Sequence, residues 1–122
     1  MQTDAGAEAV TIYKILRPAE WAETQEKGVF SGSSDDLRDG FVHLSSAGQV
    51  AGTLARHFAD EAEVILLAVD ATVLGADLRW EESRDGAVFP HLFAPLPLSA
   101  STGSRTLRRG SDGAFPPFDP PL

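Results

Sequence analysis

Two short stretches of the sequence place a histidine among apolar residues beside groups that could bind a ligand. The first is DGFVHLSS, residues 39–46, in which a serine pair follows His43 closely. The second is WEESRDGAVFPHLFAPL, residues 80–96, in which charged residues precede His91. Histidine can bind ligands and exchange protons near neutral pH. Each stretch is therefore a candidate part of a binding or catalytic site.

In the first stretch, His43 lies near the end of a predicted strand, and a helix is predicted to begin at about Ala47. The free amides and the dipole of a helix N-terminus favour an anion, here close to Ser45 and Ser46. The stretch is thus a candidate cradle for a phosphate or carboxylate. The alternative is that Ser46 forms a capping box with Gln49 and that His43 is a hydrogen-bonded core residue.

In the second stretch, Glu81 and His91 are the candidate acid or base, and Ser83 and Arg84 are candidate ligand-binding residues. The planar fork of an arginine suits a carboxylate or phosphate. Alternatively, His91 is a packed histidine and Arg84 forms a structural ion pair with Glu81 or Glu82. We favour the ligand-binding role for Arg84, because SRDG is a predicted turn and turns lie on the surface.

Several other chemistries are disfavoured by residue counts and spacing. The chain has no cysteine, which excludes disulfides and thiolate metal sites. Its three histidines, including His57 on a predicted helix, lack the His-x3-His spacing of a helical metal site. No phosphate-binding glycine loop or nucleophile elbow is present. We therefore expect no metal, and the sequence leaves any cofactor unidentified.

Charge and hydropathy limit the expected partners. The net charge of −8 predicts no general binding to nucleic acid, because such a surface repels phosphate backbones. The longest apolar run, VILLAV at 64–69, is far shorter than the roughly 18 residues of a membrane helix. MQTDAGAEAV at 1–10 lacks the features of a signal peptide. We expect a cytoplasmic protein with a small-molecule ligand, and its oligomeric state stays open.

The chain length of 122 residues fits one domain, predicted at 1–109, followed by an extended Pro- and Phe-rich tail at 110–122. Residues 63–70 should form a central strand, since their apolar run is unbroken. Prolines 90, 95 and 97 predict edge or irregular backbone. The predicted strands are 11–16, 41–44, 63–70, 78–83, short strands within 87–98, and one within 99–107.

Two main helices are predicted, separated by a polar loop at 31–40. The first begins at Pro18 and ends at Gly28, with Trp21 and Ala22 facing the core. The second carries Val50, Leu54 and Phe58 at helical spacing. Its two glycines, at positions 48 and 52, cost about 1 kcal/mol each relative to alanine, so we expect close packing to compensate.

Taken together, these residues resemble the bacterial domain of unknown function 952 family. The resemblance runs from YKI at 13–15 to PLPL at 95–98, and its two histidine motifs, in this order, are specific. The family pattern has tyrosine where this sequence has Phe93. The matching features are Trp21, DGFVHLS, Gln49, Thr53, HF at 57–58, WEESR and FPHL.

The resemblance implies a fold similar to that of ADP-ribosyltransferase-like proteins, which bind NAD in the cleft of a split β-sheet. It thus implies an α+β domain with a small, split, mostly antiparallel sheet and two main helices. A strand-end histidine followed two residues later by serine or threonine is the first signature of those enzymes, and His43 and Ser45 match it. Leu44 replaces the usual glycine. Glu81 would be the counterpart of their catalytic glutamate.

These observations lead to two hypotheses. In the first, the histidine stretches form one pocket for NAD, a nucleotide or another phosphorylated molecule, and an enzyme would use His43 to orient it, Arg84 to hold an anionic group, and Glu81 or His91 as acid or base. In the second, the domain is a non-catalytic ligand-binding or interaction module with structural histidines. We expect His43 and His91 to lie on facing walls of one cleft, since so small a domain has room for only one deep cleft.

Overall fold

The structure is a computed structural model that describes residues 10–83 and 86–116. These residues form three helices, α1 (Pro18–Lys27), α2 (Ser34–Asp39) and α3 (Val50–His57). Every strand pairing among them is antiparallel, which confirms the α+β class and the mostly antiparallel sheet. The strands are β1 (Thr11–Leu16), β2 (Val29–Phe30), β3 (Val42–His43), β4 (Glu63–Asp70), β5 (Leu78–Glu82), β6 (Val88–Leu92), β7 (Leu96–Pro97) and β8 (Ser101–Arg108).

The first sheet has the strand order β1–β4–β8, so β4 is its central strand. The interior residues of β4 are buried on both faces, as its unbroken apolar run predicts. Alternate residues point to opposite faces of a strand, and each face has its own apolar cluster. Ile65 of β4 packs with Trp21 and the second sheet, whereas Leu66 packs with Val50 and Leu54 of α3.

The second sheet has the order β3–β6–β5, and one bridge among the described residues joins it to the first. In this bridge the Tyr13 amide donates to the Ser45 carbonyl at 2.8 Å, and the Ser45 amide donates to the Tyr13 carbonyl at 2.9 Å. A short 3-10 helix at Ala47–Gln49 follows and leads into α3. The bridge therefore fixes the entry to α3 relative to both sheets.

The expectation of edge or irregular backbone is wrong for Pro90, which lies in the central strand β6 opposite Trp80. The Pro90 carbonyl accepts a hydrogen bond from the Leu44 amide at 3.1 Å, just past the end of β3. The N and C=O of one residue point to the same side of a strand. The missing N–H of Pro90 thus falls on the side of the two-residue strand β3, and not on the side of β5.

Helix α1 has the predicted bounds, and Gly28 ends it in the left-handed conformation at φ 77°. Trp21 packs partly buried against the core. The prediction that Ala22 faces the core is wrong, because Ala22 is exposed and Thr24 is buried in its place. With 3.6 residues per turn, position 24 lies nearer the side of Trp21 than position 22 does.

The predicted polar loop at 31–40 is wrong in its middle, where α2 forms. The turn residues at its two ends are the caps of this helix. The Ser33 hydroxyl accepts from the Asp36 amide at 3.2 Å, and Gly40 ends the helix at φ 87°. Leu37 is the one large apolar residue of this helix, and it is 70% exposed. Because a single apolar residue cannot form a periodic pattern, the sequence does not mark this helix.

Residues that follow β8 contact the end of α3. The Arg109 guanidinium donates to the carbonyls of Phe58 at 2.8 Å and Ala59 at 3.0 Å, and it lies 4.2 Å from the centre of the Phe115 ring. Phe115 packs against the cluster that contains α3. None of the helices in the described part of the chain is long and apolar enough to span a membrane.

Candidate functional site

A cleft of about 460 Å³ is lined by residues of β1, α2, β3, α3 and β6. Its volume lies within the range of roughly 300–1,000 Å³ that is usual for small-molecule sites. Of the seven candidate site residues predicted from the sequence, four line it, namely His43, Ser45, Ser83 and His91. Arg84, the candidate clamp for an anion, lies outside the described residues.

His43 and His91 are neighbours on one wall of this cleft. They lie directly opposite each other on β3 and β6, and the centres of their rings are 5.8 Å apart. Directly opposed residues of an antiparallel pair point to the same face. The expectation that the two histidines lie on facing walls is therefore wrong, although both do line the same cleft.

Both ring nitrogens of His43 contact carboxylates of α2. Nδ1 lies 2.6 Å from Asp36 Oδ1, and Nε2 lies 2.9 Å from Asp39 Oδ2. An ionised carboxylate can only accept, so both contacts are hydrogen bonds only when both nitrogens carry hydrogen. His43 cannot donate to a ligand without giving up one of these contacts, so its ring nitrogens are engaged in structure.

Local sequence explains why α2 presents these carboxylates. Asp36 is the third residue of a helix capped by Ser33, and its Oδ2 accepts from the Ser33 amide at 2.9 Å to complete a capping box. Asp39 follows three residues later and so lies on the same side of the helix. The cap that starts α2 thus also holds one of the two partners of His43.

A buried ion pair continues this network. Lys14 Nζ lies 3.1 Å from Asp36 Oδ2 and donates to the His43 carbonyl at 3.0 Å. Burial raises the pKa of Asp36, but the His43 hydrogen bond, the Lys14 charge and the backbone amides of Ser33 and His43 outweigh it, so that this pKa lies far below its ordinary value. Burial also lowers the pKa of Lys14, against the opposing charge of Asp36. The charges of Lys14 and Asp36 therefore hold this wall of the cleft in place without a ligand.

His91 differs from His43 in having one engaged nitrogen. Its Nδ1 lies 2.8 Å from Glu81 Oε1, and its side chain is 8% exposed. Nε2 has no hydrogen-bond partner among the described residues. Since no fully buried side-chain polar atom among them lacks a partner, Nε2 must be accessible. Because His91 lines the cleft, we conclude that Nε2 is reached from it.

Aromatic rings hold the His91 imidazole in place. The Phe41 ring stacks on it with a centroid distance of 4.0 Å and an interplanar angle of 24°. The ring centres of Phe93 and Phe41 are 5.2 Å apart, and the Arg79 guanidinium lies 4.7 Å from the centre of the Phe93 ring. The ring of His91 is thus fixed by a carboxylate at one nitrogen and by stacking on its face, as a preorganised functional group requires.

The three candidate serines and Glu81 differ in whether they line the cleft. Ser45 is buried, and its hydroxyl lies 3.0 Å from that of Thr53. Ser83 is exposed at the cleft. Ser46 and Glu81 are not among the described residues that line the cleft. Glu81 contacts His91 instead, and the Ser46 amide takes part in the predicted capping box.

Sequence reasoning missed the contribution of α3 to the cleft. Gln49 Oε1 accepts a hydrogen bond from the Ser46 amide at 3.0 Å, and Gln49 Nε2 donates to the Val88 carbonyl at 2.7 Å. The second of these bonds ties the start of the helix to β6. Arg56 also lines the cleft. The segment AGQVAGTLARHF at 47–58 repeats an alanine every four residues. Such a period places the intervening residues in rows along a helix and could have identified this surface.

The expected packing around the two helix glycines is wrong. A Cβ built at Gly48 or Gly52 meets no other atom of the described residues within 4 Å, apart from its own helix backbone and chain neighbours. Both glycines line the cleft instead. The sequence shows that glycine is unusual inside a helix, but it does not show whether protein or open space lies beside it.

Comparisons with known proteins agree with this fold. The family model described as "Protein of unknown function (DUF952)" matches residues 15–103. The crystal structure of protein CC0527 from Caulobacter crescentus is similar, with 48% sequence identity, a TM-score of 0.82, and coverage of 87% of this chain and 93% of that chain. The solution NMR structure of CC0527 has 49% identity, a TM-score of 0.76, and coverage of 87% and 90%. The search of curated proteins gives no match. Because the family model covers residues 15–103, which is most of the chain, the chain belongs to the DUF952 family.

Proposed function

We propose that the cleft binds a small nucleotide-like or phosphorylated molecule and that His91 exchanges a proton with it. The observation that carries this proposal is the single unengaged nitrogen of a histidine that is otherwise buried and paired. The Glu81 carboxylate accepts from Nδ1–H, which leaves the lone pair of a neutral imidazole on Nε2. A positioned group of this kind contributes roughly 10²- to 10⁴-fold to the rate of a reaction.

The roles within this proposal follow from the contacts. His91 would be the acid or base, and Glu81 would be a positioning residue that acts through it. His43 would shape the cleft wall, since its ring nitrogens are held by Asp36 and Asp39. Ser83 is exposed at the cleft, where it would contact a ligand. Arg84, its neighbour in the chain, would hold an anionic group.

We further propose that the fold is ADP-ribosyltransferase-like. In support of this, two antiparallel three-stranded sheets meet at a bridge beside the cleft, and His43 ends a strand two residues before Ser45. Glu81, the counterpart of a catalytic glutamate, contacts His91 rather than lining the cleft. NAD is therefore one of the ligands to test, without a presumed reaction.

A non-catalytic ligand-binding module is the second candidate. It is favoured by the hydrogen bonds of His43 and Ser45, because two of the predicted ligand groups already have partners within the protein. This candidate shares the cleft with the first and differs from it in the role of His91. A bound molecule that wild-type protein returns unchanged would support it.

Thermal shift with a ligand panel tests the proposal. The panel contains NAD, nucleoside mono- and diphosphates and sugar phosphates, each beside its unphosphorylated counterpart. We expect at least one phosphorylated member to raise the Tm, since a ligand at 100 times its Kd stabilises the native state by about 2.7 kcal/mol. Equal shifts from the unphosphorylated counterparts, or none at all, would contradict it.

The role of His91 is tested on any ligand that binds. We expect wild-type protein to convert it and His91→Gln to bind it but to lose roughly 10²- to 10⁴-fold in rate. Glu81→Gln should give a smaller loss together with a shifted pH profile, because its effect passes through the imidazole. A variant His91→Gln that retains the full rate would show that the proton transfer is made elsewhere.

A further inference from the structure

Gly48 lies in the short 3-10 helix before α3 and Gly52 lies in α3, and no contact among the described residues explains either glycine. Glycine lowers helix stability relative to alanine. Neither residue has the positive φ that favours glycine. Neither is crowded by another part of the described chain, because a Cβ at either position would meet open space. The missing side chains leave open room beside the backbone, which a molecule from outside the protein can occupy.

The two glycines continue in a row that ends in a cation. Gly52 and Arg56 are four residues apart in α3 and so lie along one side of the helix, Gly48 precedes them in the short 3-10 helix, and all three line the cleft. We call them the glycine row. Arg56 is exposed and has no hydrogen bond or ion pair among the described residues. By contrast, the other two arginines at the cleft, Arg17 and Arg38, are each paired with carboxylates.

The adjacent row is occupied by protein contacts. Gln49 bonds to Val88, and the Thr53 hydroxyl lies 3.0 Å from both the Gln49 carbonyl and the Ser45 hydroxyl. These contacts hold the helix against the second sheet and leave the glycine row open. The cleft therefore has a wall of bare helix backbone that is fixed in position.

An independent feature of the same cleft also points to a ligand. The His91 side chain is more than nine-tenths buried, and its Nε2 has no partner among the described residues. Its Nδ1 is held by Glu81, whereas the accessible Nε2 is free to bond to a group outside the chain. The open glycine row and this nitrogen line one cavity, so one ligand could contact both.

We propose that the glycine row binds an aromatic ring that carries a phosphate, with the flat ring against the backbone at Gly48 and Gly52 and the phosphate at Arg56. This inference rests on the proposed function and specifies its ligand class. A flat ring gains the most from a surface without side chains, and an arginine fork suits a phosphate. The spacing of one helical turn, about 5.4 Å, separates the ring from the anionic group.

The experiment uses adenosine 5′-monophosphate, adenosine and inorganic phosphate as probes of the full chain. Titration of ¹⁵N-labelled protein should show that the monophosphate shifts the amide signals of Gly48 and Gly52. We expect it to bind at least tenfold more tightly than adenosine or inorganic phosphate alone. Arg56→Gln should lose that advantage over adenosine. If none of the three probes binds, the glycine row is not a site for an aromatic phosphate.

Matched variants separate a blocked site from a damaged fold. Gly52→Leu should weaken the monophosphate at least tenfold, whereas Ala51→Leu, on the adjacent exposed position outside the cleft lining, should bind like wild type. Gly52→Ala should raise the Tm of the free protein and still weaken binding, a combination that a folding defect cannot produce. Equal affinity in wild type and both Gly52 variants would overturn the inference. Binding of sugar phosphates without the monophosphate would overturn it too, while the proposed function would stand.

Discussion

At the scale of single residues, Asp36 connects several groups of the cleft wall through its carboxylate. One carboxylate accepts from Lys14 Nζ, from the backbone amides of Ser33 and His43, and contacts the His43 ring. Its side chain is 2% exposed. We expect Asp36→Asn to lower the free energy of unfolding by about 3–5 kcal/mol, because it leaves the buried Lys14 charge without its partner. Urea denaturation of the two proteins measures this difference.

Asp35→Asn is the control for this substitution. Asp35 lies on the same helix, but its side chain is 54% exposed and pairs with Arg38 at the surface. The same chemical change there should alter the free energy of unfolding by no more than about 0.5 kcal/mol. Equal effects of the two substitutions would mean that the buried network does not stabilise the fold.

Asp36 also predicts how stability depends on pH. Its pKa is lowered in the folded protein, so the unfolded chain takes up a proton at higher pH than the folded one does. The contribution of the Asp36 carboxylate to the free energy of unfolding is complete above its pKa in the unfolded chain, about 4. This contribution is lost as the pH falls from there toward the pKa of Asp36 in the folded protein. We expect wild type to lose stability more steeply than Asp36→Asn between pH 4 and pH 3 in denaturant melts. Parallel pH profiles would contradict this.

At the scale of elements, Arg109 joins the last strand to the end of α3. Its guanidinium donates to the carbonyls of Phe58, Ala59 and Glu61. These carbonyls follow the helix, and a planar fork can reach them together, whereas a lysine amine is a single point. We therefore expect Arg109→Lys to lower the free energy of unfolding by roughly 1.5–3 kcal/mol, the usual contribution of hydrogen bonds to charged groups.

The neighbouring residue supplies the control for Arg109. Arg108 forms a surface pair with Glu63, and its side chain is 74% exposed. Arg108→Lys should leave the free energy of unfolding unchanged within about 0.5 kcal/mol, since surface ion pairs contribute little. Comparable losses in both variants would show that α3 does not depend on this fork.

Elements with strong apolar patterns could be predicted from sequence, and short polar elements could not. The strands β1 and β4 and the helix α1 follow directly from β-branched runs, proline and glycine. The helix α2 has no apolar face, and its acidic residues look like those of a loop. The two histidines were therefore found without the carboxylates of α2 that hold one of them. Their pairing on one wall depends on strand register, which sequence pattern leaves open when a strand has only two residues.

At the scale of the whole molecule, the cleft lies at the meeting point of the two sheets. β1 contributes Lys14 from the first sheet, β3 and β6 contribute the histidines from the second, and the Tyr13–Ser45 bridge connects them. Rigid strands carry the groups that need fixed positions, while α3 supplies an open surface. This division places a polar wall and a bare backbone wall around one ligand-sized space.

The last prediction concerns the charge of the whole molecule. With a net charge of −8, the protein should show no salt-sensitive affinity for generic duplex DNA or RNA. Among the described cleft residues, Arg17 and Arg38 are already paired with carboxylates, so the cleft offers no continuous basic track to a polyanion. Binding that relies on phosphate contacts weakens steeply with salt, because each contact releases a counterion. We expect fluorescence anisotropy of labelled duplexes to stay flat at micromolar protein, both at low and at physiological ionic strength. Micromolar binding that disappears on addition of salt would show instead that local cations outweigh the acidic surface, and the ligand of the cleft would then have to be sought among polymers rather than small molecules.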